Sequence, residues 1–440
     1  MVFKEKLASS FLAFENKVDV DVDSNVHEIR SNAFRDFESK GFPTRKDEEW
    51  KYTSLASVLK QDYNIFPKAE TSLDYSEIKK FFLHETDCYN LVFIDGKFSS
   101  FLSETTHDGL DICVMSAALT QSKYKADIDA YFNKLAKDNN SLADLNTAFS
   151  KEGAFINVPK NTVVPKPIQI VNFSTGNEKE SLIQPRNLVI VGENAQVQII
   201  ERNQSLSEHT TLTNSVTEIF VNKRAIVDFY KMQNDVATAS LIDATFVSQE
   251  RDSSASVHTF SFGGKLLRNN LEFYQNGSHC VSHMNGISIL NEKQHVDNHT
   301  LVMHKAPDCE SHEMYKGIYD GNSTGVFNGK VIVEQAAQRI NAYQQNNNVI
   351  IGDKASINSK PQLEIFADDV KCSHGCTIGQ LDDSALFYMQ QRGIPKKEAK
   401  ALLMYAFSND ALKDVKITEL KTKINKIIAK KLDVSIGFDL

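Results

Sequence analysis

Ala195-Gln-Val197, Ala225-Ile-Val227 and Ala255-Ser-Val257 stand 30 and 30 residues apart, each just after a polar pair, in a stretch dominated by strand-like runs. Those runs include Asn187-Leu-Val-Ile-Val191, Gln196-Val-Gln-Ile199, Glu218-Ile-Phe-Val221 and Lys330-Val-Ile-Val333. Clusters of Asn, Gly, Ser and Asp separate them, and helical periodicity is nearly absent. A fixed period in strand-rich sequence is the mark of a solenoid. A small residue at a tight corner, followed by a β-branched residue turned inward, suits stacked coils. A β-sandwich with chance spacing accounts for the same runs, so the period is what favours the solenoid.

Outward from this centre the grain changes on both sides. Val26, Ile29, Ala33, Phe34 and Phe37 recur at spacings of three and four, one apolar helical face that Gly41 and Pro43 bring to an end. Leu91-Val-Phe-Ile94 runs into Asp95-Gly96, a hairpin signal, and the apolar pattern resumes at Phe98. Beyond the strands, Pro395 stands where a first helical residue belongs, with Ala399, Leu402, Leu403, Ala406 and Phe407 on one face. A second face follows in Leu420, Ile424, Ile427, Ile428 and Leu432. The expected organisation is a helical or mixed region over 1–150, a β-solenoid over 151–380 and a helical region over 381–440. From Lys396 to Lys431 ten Lys face four acids, which reads either as a solvated helical face or as a docking surface for an acidic partner.

Composition excludes several classes. The chain has 440 residues with 49 basic and 57 acidic side chains, a net charge of −8. Nucleic-acid binding through a basic surface is not expected. Six cysteines are too few and too scattered for a disulfide-stapled scaffold. Glu5 and Glu15 break the apolar character of the N-terminus, so no signal peptide is expected, and no run reaches the length of a transmembrane helix. A cytoplasmic protein with reduced thiols is the expectation.

Motifs narrow the chemistry further. No G-x-x-x-x-G-K-[ST] occurs; Gly325-Val-Phe-Asn-Gly329-Lys330-Val331 has the wrong spacing. Gly321-Asn-Ser-Thr-Gly325 matches G-x-S-x-G, but a polar loop precedes it and a strand-like run follows, the reverse of a nucleophile elbow. His258, His279, His283, His295, His299, His304 and His312 crowd one segment together with Cys280 and Cys309. Cys309-x-x-His312 has a metal-compatible spacing, yet on a strand the two side chains point to opposite faces. The densest constellation is Asp368-Asp-Val-Lys-Cys372-Ser-His374-Gly-Cys376. In an extended strand Cys372, His374 and Cys376 share one face. Two thiols and an imidazole suit iron or zinc, and Lys371 beside them favours a thiolate. Three ligands do not complete a tetrahedral site, so another chain, a substrate or water would supply the rest. A pair of packed thiols with a backbone-bonded histidine is the structural alternative.

These residues carry a family resemblance. Asp369-Val-Lys-Cys-Ser-His-Gly-Cys-Thr-Ile-Gly379 resembles the hallmark of the SufB/SufD family, scaffold subunits of the SUF iron–sulfur cluster assembly system, on its SufD side. So do Leu386-Phe-Tyr-Met-Gln-Gln-Arg-Gly-Ile394, His299-Thr-Leu-Val-Met-His304, Cys309-Glu-Ser, Tyr315-Lys-Gly317 and Arg45-Lys-Asp-Glu-Glu-Trp50-Lys-Tyr-Thr-Ser-Leu55. The matches span nearly the whole chain in the family's order. The resemblance implies a right-handed parallel β-helix flanked by helical domains, pairing with SufB through the β-helices and docking the ATPase SufC through the C-terminal helices. It implies no ATP bound by this chain and no catalysis by it. It also implies iron or a transient cluster shared with SufB, leaving open a reduced flavin at the level of the complex and a homodimer in isolation. His374 and Cys372 inherit the iron-handling role, with Cys376 as an additional ligand candidate. Gly352-Asp-Lys-Ala355 stands where SufB carries G-D-K-C, so that thiol is absent here. Two other function classes remain open on residues alone. One is a secreted-type β-helix polysaccharide lyase or hydrolase using Asp368-Asp369 and Asp382-Asp383. The other is a stand-alone zinc protein.

Overall fold

The computed structural model describes residues 2–18, 25–68, 73–84, 86–104, 109–137, 140–176 and 180–433. The strands of its first half are β1 (Tyr89–Ile94), β2 (Lys97–Phe98), β3 (Asp111–Val114), β4 (Ala154–Val158), β5 (Ile168–Ser174), β6 (Ser181–Ile183), β7 (Arg186–Val191), β8 (Gln196–Ser205), β9 (Thr211–Val221) and β10 (Ile226–Gln233). The second half adds β11 (Ser240–Gln249), β12 (Ser254–Ser261), β13 (Leu266–Gln275), β14 (Val281–Leu290), β15 (His295–His304), β16 (Glu310–Tyr319), β17 (Thr324–Val333), β18 (Ile340–Ile350), β19 (Ser356–Ile365) and β20 (Val370–Gly379).

Successive strands alternate between two parallel sheets, ordered β5-β8-β10-β12-β14-β16-β18-β20 and β4-β7-β9-β11-β13-β15-β17-β19. This is a β-solenoid of about eight turns, as the period implies. Its corners explain the repeat. Asn194, Arg224, Asp252, His279, Asp308 and Arg339 all adopt φ between 57° and 61°, one left-handed residue per turn. Asn and Asp tolerate that region best among residues with a Cβ. The residue after each is buried: Ala195, Ala225, Ser253, Cys280, Cys309 and Ile340. The third sequence match is out of step, because Val197 pairs Val227 but Val227 pairs Ala255, so Ser253 is the corner. A slip of two leaves every side chain on its original face, and Ala255 and Val257 still point inward.

The lumen is filled by Val197, Ile199, Val227, Phe229, Val257, Ile219, Val247, Phe273 and Val302. Close packing of such side chains contributes about 1.5–3 kcal/mol each. The N-terminal end of this column is closed. The Asp95-Gly96 turn, with φ of 48° and 76°, joins β1 to β2, and β1 then adds in parallel to β5. The hairpin read from the sequence is therefore part of the solenoid's first turn.

Helices α1 (Val2–Val18), α2 (Val26–Lys40), α3 (Tyr75–Ile78), α4 (Met115–Thr120), α5 (Lys125–Tyr131) and α6 (Ser141–Ala148) cover the outer faces at that end. On α2 the buried residues are Val26, Arg30, Ala33, Phe34 and Phe37, and Gly41 caps it at φ 70° through its N–H to the Phe37 carbonyl. Arg30 was not in the expected face; its guanidinium turns in to donate to the Ser150 carbonyl.

Three C-terminal helices follow: α7 (Asp383–Gln391), α8 (Lys396–Asn409) and α9 (Thr418–Lys431). Leu420, Ile424 and Ile428 of α9 pack with Ile200, Tyr230, Phe260 and Ile287 on the outer face of the first sheet. Pro395 is the N-cap of α8, one position before the first helical residue. The face expected on α8 is also displaced: Ala399, Ala401, Met404 and Ser408 are buried, while Ala406 is exposed. Ala401-Leu-Leu-Met-Tyr-Ala-Phe407 is apolar on every side, so periodicity alone does not select its face.

Candidate functional site

The C-terminal end of the solenoid is built differently from the N-terminal end. β19 and β20 are the last strands of their sheets, each paired on one side only. Nearly every residue of both is at least partly exposed. The hallmark segment forms β20.

Register places its side chains. Cys372 pairs Ala342, His374 pairs Gln344 and Cys376 pairs Asn346. Ala342, Gln344 and Asn346 are buried, so this row continues the inner face of the solenoid to its open mouth. The three candidates thus share a face, as strand alternation requires. Cys372 is the deepest, packing beside Ile340, Ala342 and Val370. Burial pushes its thiol upward, and a backbone hydrogen bond from Ala342 only partly offsets this. Lys371 does not favour the thiolate as expected: it occupies the alternate, exposed position, and desolvation decides the sign.

His374 is exposed at the mouth and its ring forms no hydrogen bond with the described residues. The Cys376 thiol donates to Ser359 Oγ of β19 at 3.1 Å, and Ser359 Oγ donates to Asn346 Oδ1 at 2.8 Å. Alternate residues of a strand lie roughly 6.5–7 Å apart. The row is therefore a line of donors and not a cage; among the described residues no group of three His, Cys, Asp or Glu converges on one ion.

The other histidines are dispersed over the fold. His258 stacks between Tyr230 and Phe260. His283 and His312 stack at 5.1 Å on the outer face, and His312 bonds Glu310. Cys309 is buried at its corner and half-exposed His312 points away, as alternation predicts. His304 is buried against the Ser311 hydroxyl at 3.0 Å. His299 joins the N-terminal motif to the solenoid: it contacts Glu49 at 3.1 Å and Asp297 at 3.0 Å, and Arg268 covers the Trp50 ring at 4.4 Å. Two stretches far apart in sequence thus meet as one structural joint. Ser323 of the G-x-S-x-G match is buried in a corner, and a strand follows it. Part of the basic C-terminal run is also structural, since Lys416 bonds buried Asp228 at 2.7 and 2.9 Å.

Two side chains beneath the mouth escaped the sequence reading. Glu313 and Gln344 are buried in the same inward row, and Gln344 Nε2 donates to Glu313 Oε2 at 2.8 Å. Burial pushes the Glu313 carboxyl up to about 7, against hydrogen bonds from Thr300 and Gln344. The polar run Gln344-Gln-Asn-Asn-Asn348, where a solenoid core asks for apolar residues, was the available signal.

Comparison with known proteins agrees with this architecture. The family described as "SUF system FeS cluster assembly, SufBD core domain" matches residues 173–407, and "SufBD protein N-terminal region" matches residues 1–170. An iron-sulfur cluster assembly SufBD family protein of Synechocystis is 32% identical, covering 88% of this chain and 87% of its own. The iron-sulfur cluster assembly protein SufD of Escherichia coli is 28% identical over 89% of this chain and 90% of its own. Its namesake in Bacillus subtilis is 24% identical over 72% and 74%. Solenoid, flanking helices and these matches together place the chain in the SufBD family of iron–sulfur cluster assembly proteins.

Proposed function

We propose that this chain is the SufD-type scaffold subunit of a SUF complex, working in the cytoplasm without catalysis of its own. Its β-helix would pair with that of SufB through the open end, and nascent clusters would assemble at that seam. The observation that carries the reading is the bare end of the solenoid. Two edge strands with unpaired backbone groups invite strand addition, and the hallmark side chains lie on one of them. Cys372, His374 and Cys376 then supply part of a ligand set whose remainder comes from the partner. Iron is here a substrate passing through.

In this reading the regions 1–150, 151–380 and 381–440 divide the labour into cover, scaffold and docking. ATP binding would draw two copies of SufC together, each seated on one subunit's C-terminal helices. On α7, Phe387 and Tyr388 stand exposed beside that basic segment, a suitable anchor for the ATPase. The motion would reach the seam through these helices and open it for iron and sulfide.

The test is co-expression with SufB and SufC, followed by anaerobic measurement of cluster formation by absorbance and iron content. His374→Ala should lower cluster yield by about tenfold or more, and Cys372→Ser by a smaller factor. Full yield from both variants overturns the assignment. Purification of the chain alone with stoichiometric zinc, or with glycan-cleaving activity, would favour the other two classes.

A further inference from the structure

Glu313 and Gln344 lie directly beneath His374, and the proposed iron handling uses neither. Register sets the stack: Met284 pairs Glu313, Glu313 pairs Gln344 and Gln344 pairs His374 on adjacent strands. Glu313 is 4% exposed and Gln344 3%. The Glu313 carboxylate accepts from the Thr300 hydroxyl at 2.5 Å and from Gln344 Nε2 at 2.8 Å. An ionised carboxylate only accepts, so these two donors fix the orientation of the amide. Gln344 Oε1 is then left buried without a partner. Buried acceptors of this kind ask for an explanation. The next side chain in the row is His374, whose ring is itself unbonded to the described residues. Gly329 leaves room for the arrangement: a Cβ there would lie 2.3 Å from Gln344 Nε2 and 2.7 Å from the Phe327 ring.

We propose that Glu313 and Gln344 are positioning residues for His374: the amide, held by the carboxylate, offers its Oε1 to one imidazole N–H and so selects the other ring nitrogen as the lone pair presented to iron. A neutral imidazole has one N–H and one lone pair, and the hydrogen bond made by the first decides which nitrogen is the second. Outer partners of metal-binding histidines act in this way. The inference rests on the reading of His374 as an iron-handling group.

A pH dependence follows. Burial sets the Glu313 carboxyl at about 7. When it gains a proton, its O–H becomes a donor that needs an acceptor, which the amide supplies by turning Oε1 toward it. Nε2 then faces His374 as a donor, and the selected tautomer reverses. Of the neighbours of Glu313, Met284, Thr300 and Gln344 are uncharged, and Tyr315 along the same strand titrates far higher because it is buried.

The experiment uses the full chain labelled with 15N-histidine, with the His374 resonances assigned by their loss in His374→Ala. Long-range 1H–15N spectra at pH 8 should show one dominant His374 tautomer in the unmodified protein and a mixture in Gln344→Met. Gly329→Ala, which displaces the amide and removes neither partner, should give the same mixture and serves if Gln344→Met fails to fold. An unchanged tautomer in a folded variant overturns the proposal. In the complex with SufB and SufC, Gln344→Met should weaken ferrous-iron uptake by about tenfold. Glu313→Gln should remove the step near pH 7 from the uptake profile; persistence of that step overturns the switch. The tautomer readout needs no iron, so it separates this inference from the site assignment, which fails instead if His374→Ala builds clusters normally.

Discussion

Burial in the solenoid shifts the titration of several single side chains that lack a charged partner. His258 and His304 are both pushed down to about 4 by burial. Their folded values lie below the ordinary one, so the unfolded chain binds more protons between about pH 6.5 and 4. Stability is therefore present above that window and is lost as pH falls through it, by up to roughly 3 kcal/mol per histidine. Glu313 acts in the opposite sense: its raised value favours the folded state at low pH and is a penalty as pH rises toward 7. His258→Phe should keep the ring stack with Tyr230 and Phe260 and remove one acid-side term. Urea unfolding at pH 4.5 and 7.5 should then show a gap narrowed by about 2 kcal/mol. An unchanged gap would mean that other groups set the acid limb.

At the scale of elements, legibility followed periodicity. The 30-residue step from Ala195 to Ala225 was readable because both hold the same corner, and the error at Ala255 was harmless because strands repeat every two residues. The left-handed corners were hidden, since Asn194, Arg224, Asp252 and His279 share a conformation but no chemistry. The shared face of Cys372, His374 and Cys376 followed from alternation alone. The roles of Glu313 and Gln344 depended on register across turns of unequal length, which local sequence does not reveal. The open edge yields a prediction at this scale. Phe366 and Ile378 are exposed at the bare end at 64% and 49%, where a docked partner would cover them. Phe366→Glu with Ile378→Lys should leave the isolated chain's stability within about 0.5 kcal/mol. The same pair should weaken association with a second β-helix subunit at least tenfold by calorimetry. Undiminished binding would move the partner surface elsewhere.

Across the whole molecule, the proposed site lies at the bare C-terminal end of the solenoid, while the C-terminal helices pack on its flank, so any signal from those helices would enter through that seat. That seat combines an apolar layer, in which Leu420, Ile424 and Ile428 meet Tyr230 and Phe260, with two ionic pins. Lys416 holds Asp228 at 2.7 Å, and Lys316 holds Asp410 at 2.8 Å. The pins differ in consequence. Asp228 is almost wholly buried while Lys416 is half exposed, so removing the lysine strands a buried carboxylate. Lys416→Met should therefore cost about 1–3 kcal/mol, with the loss confined to the docking of α8 and α9. Hydrogen exchange should show faster exchange in those helices and unchanged protection in β8 to β16. If the seat also conducts the ATPase stroke, the variant should retain ATP hydrolysis in the assembled complex yet form clusters several-fold more slowly. Equal losses of hydrolysis and cluster formation would instead show that the helices only hold the ATPase in place.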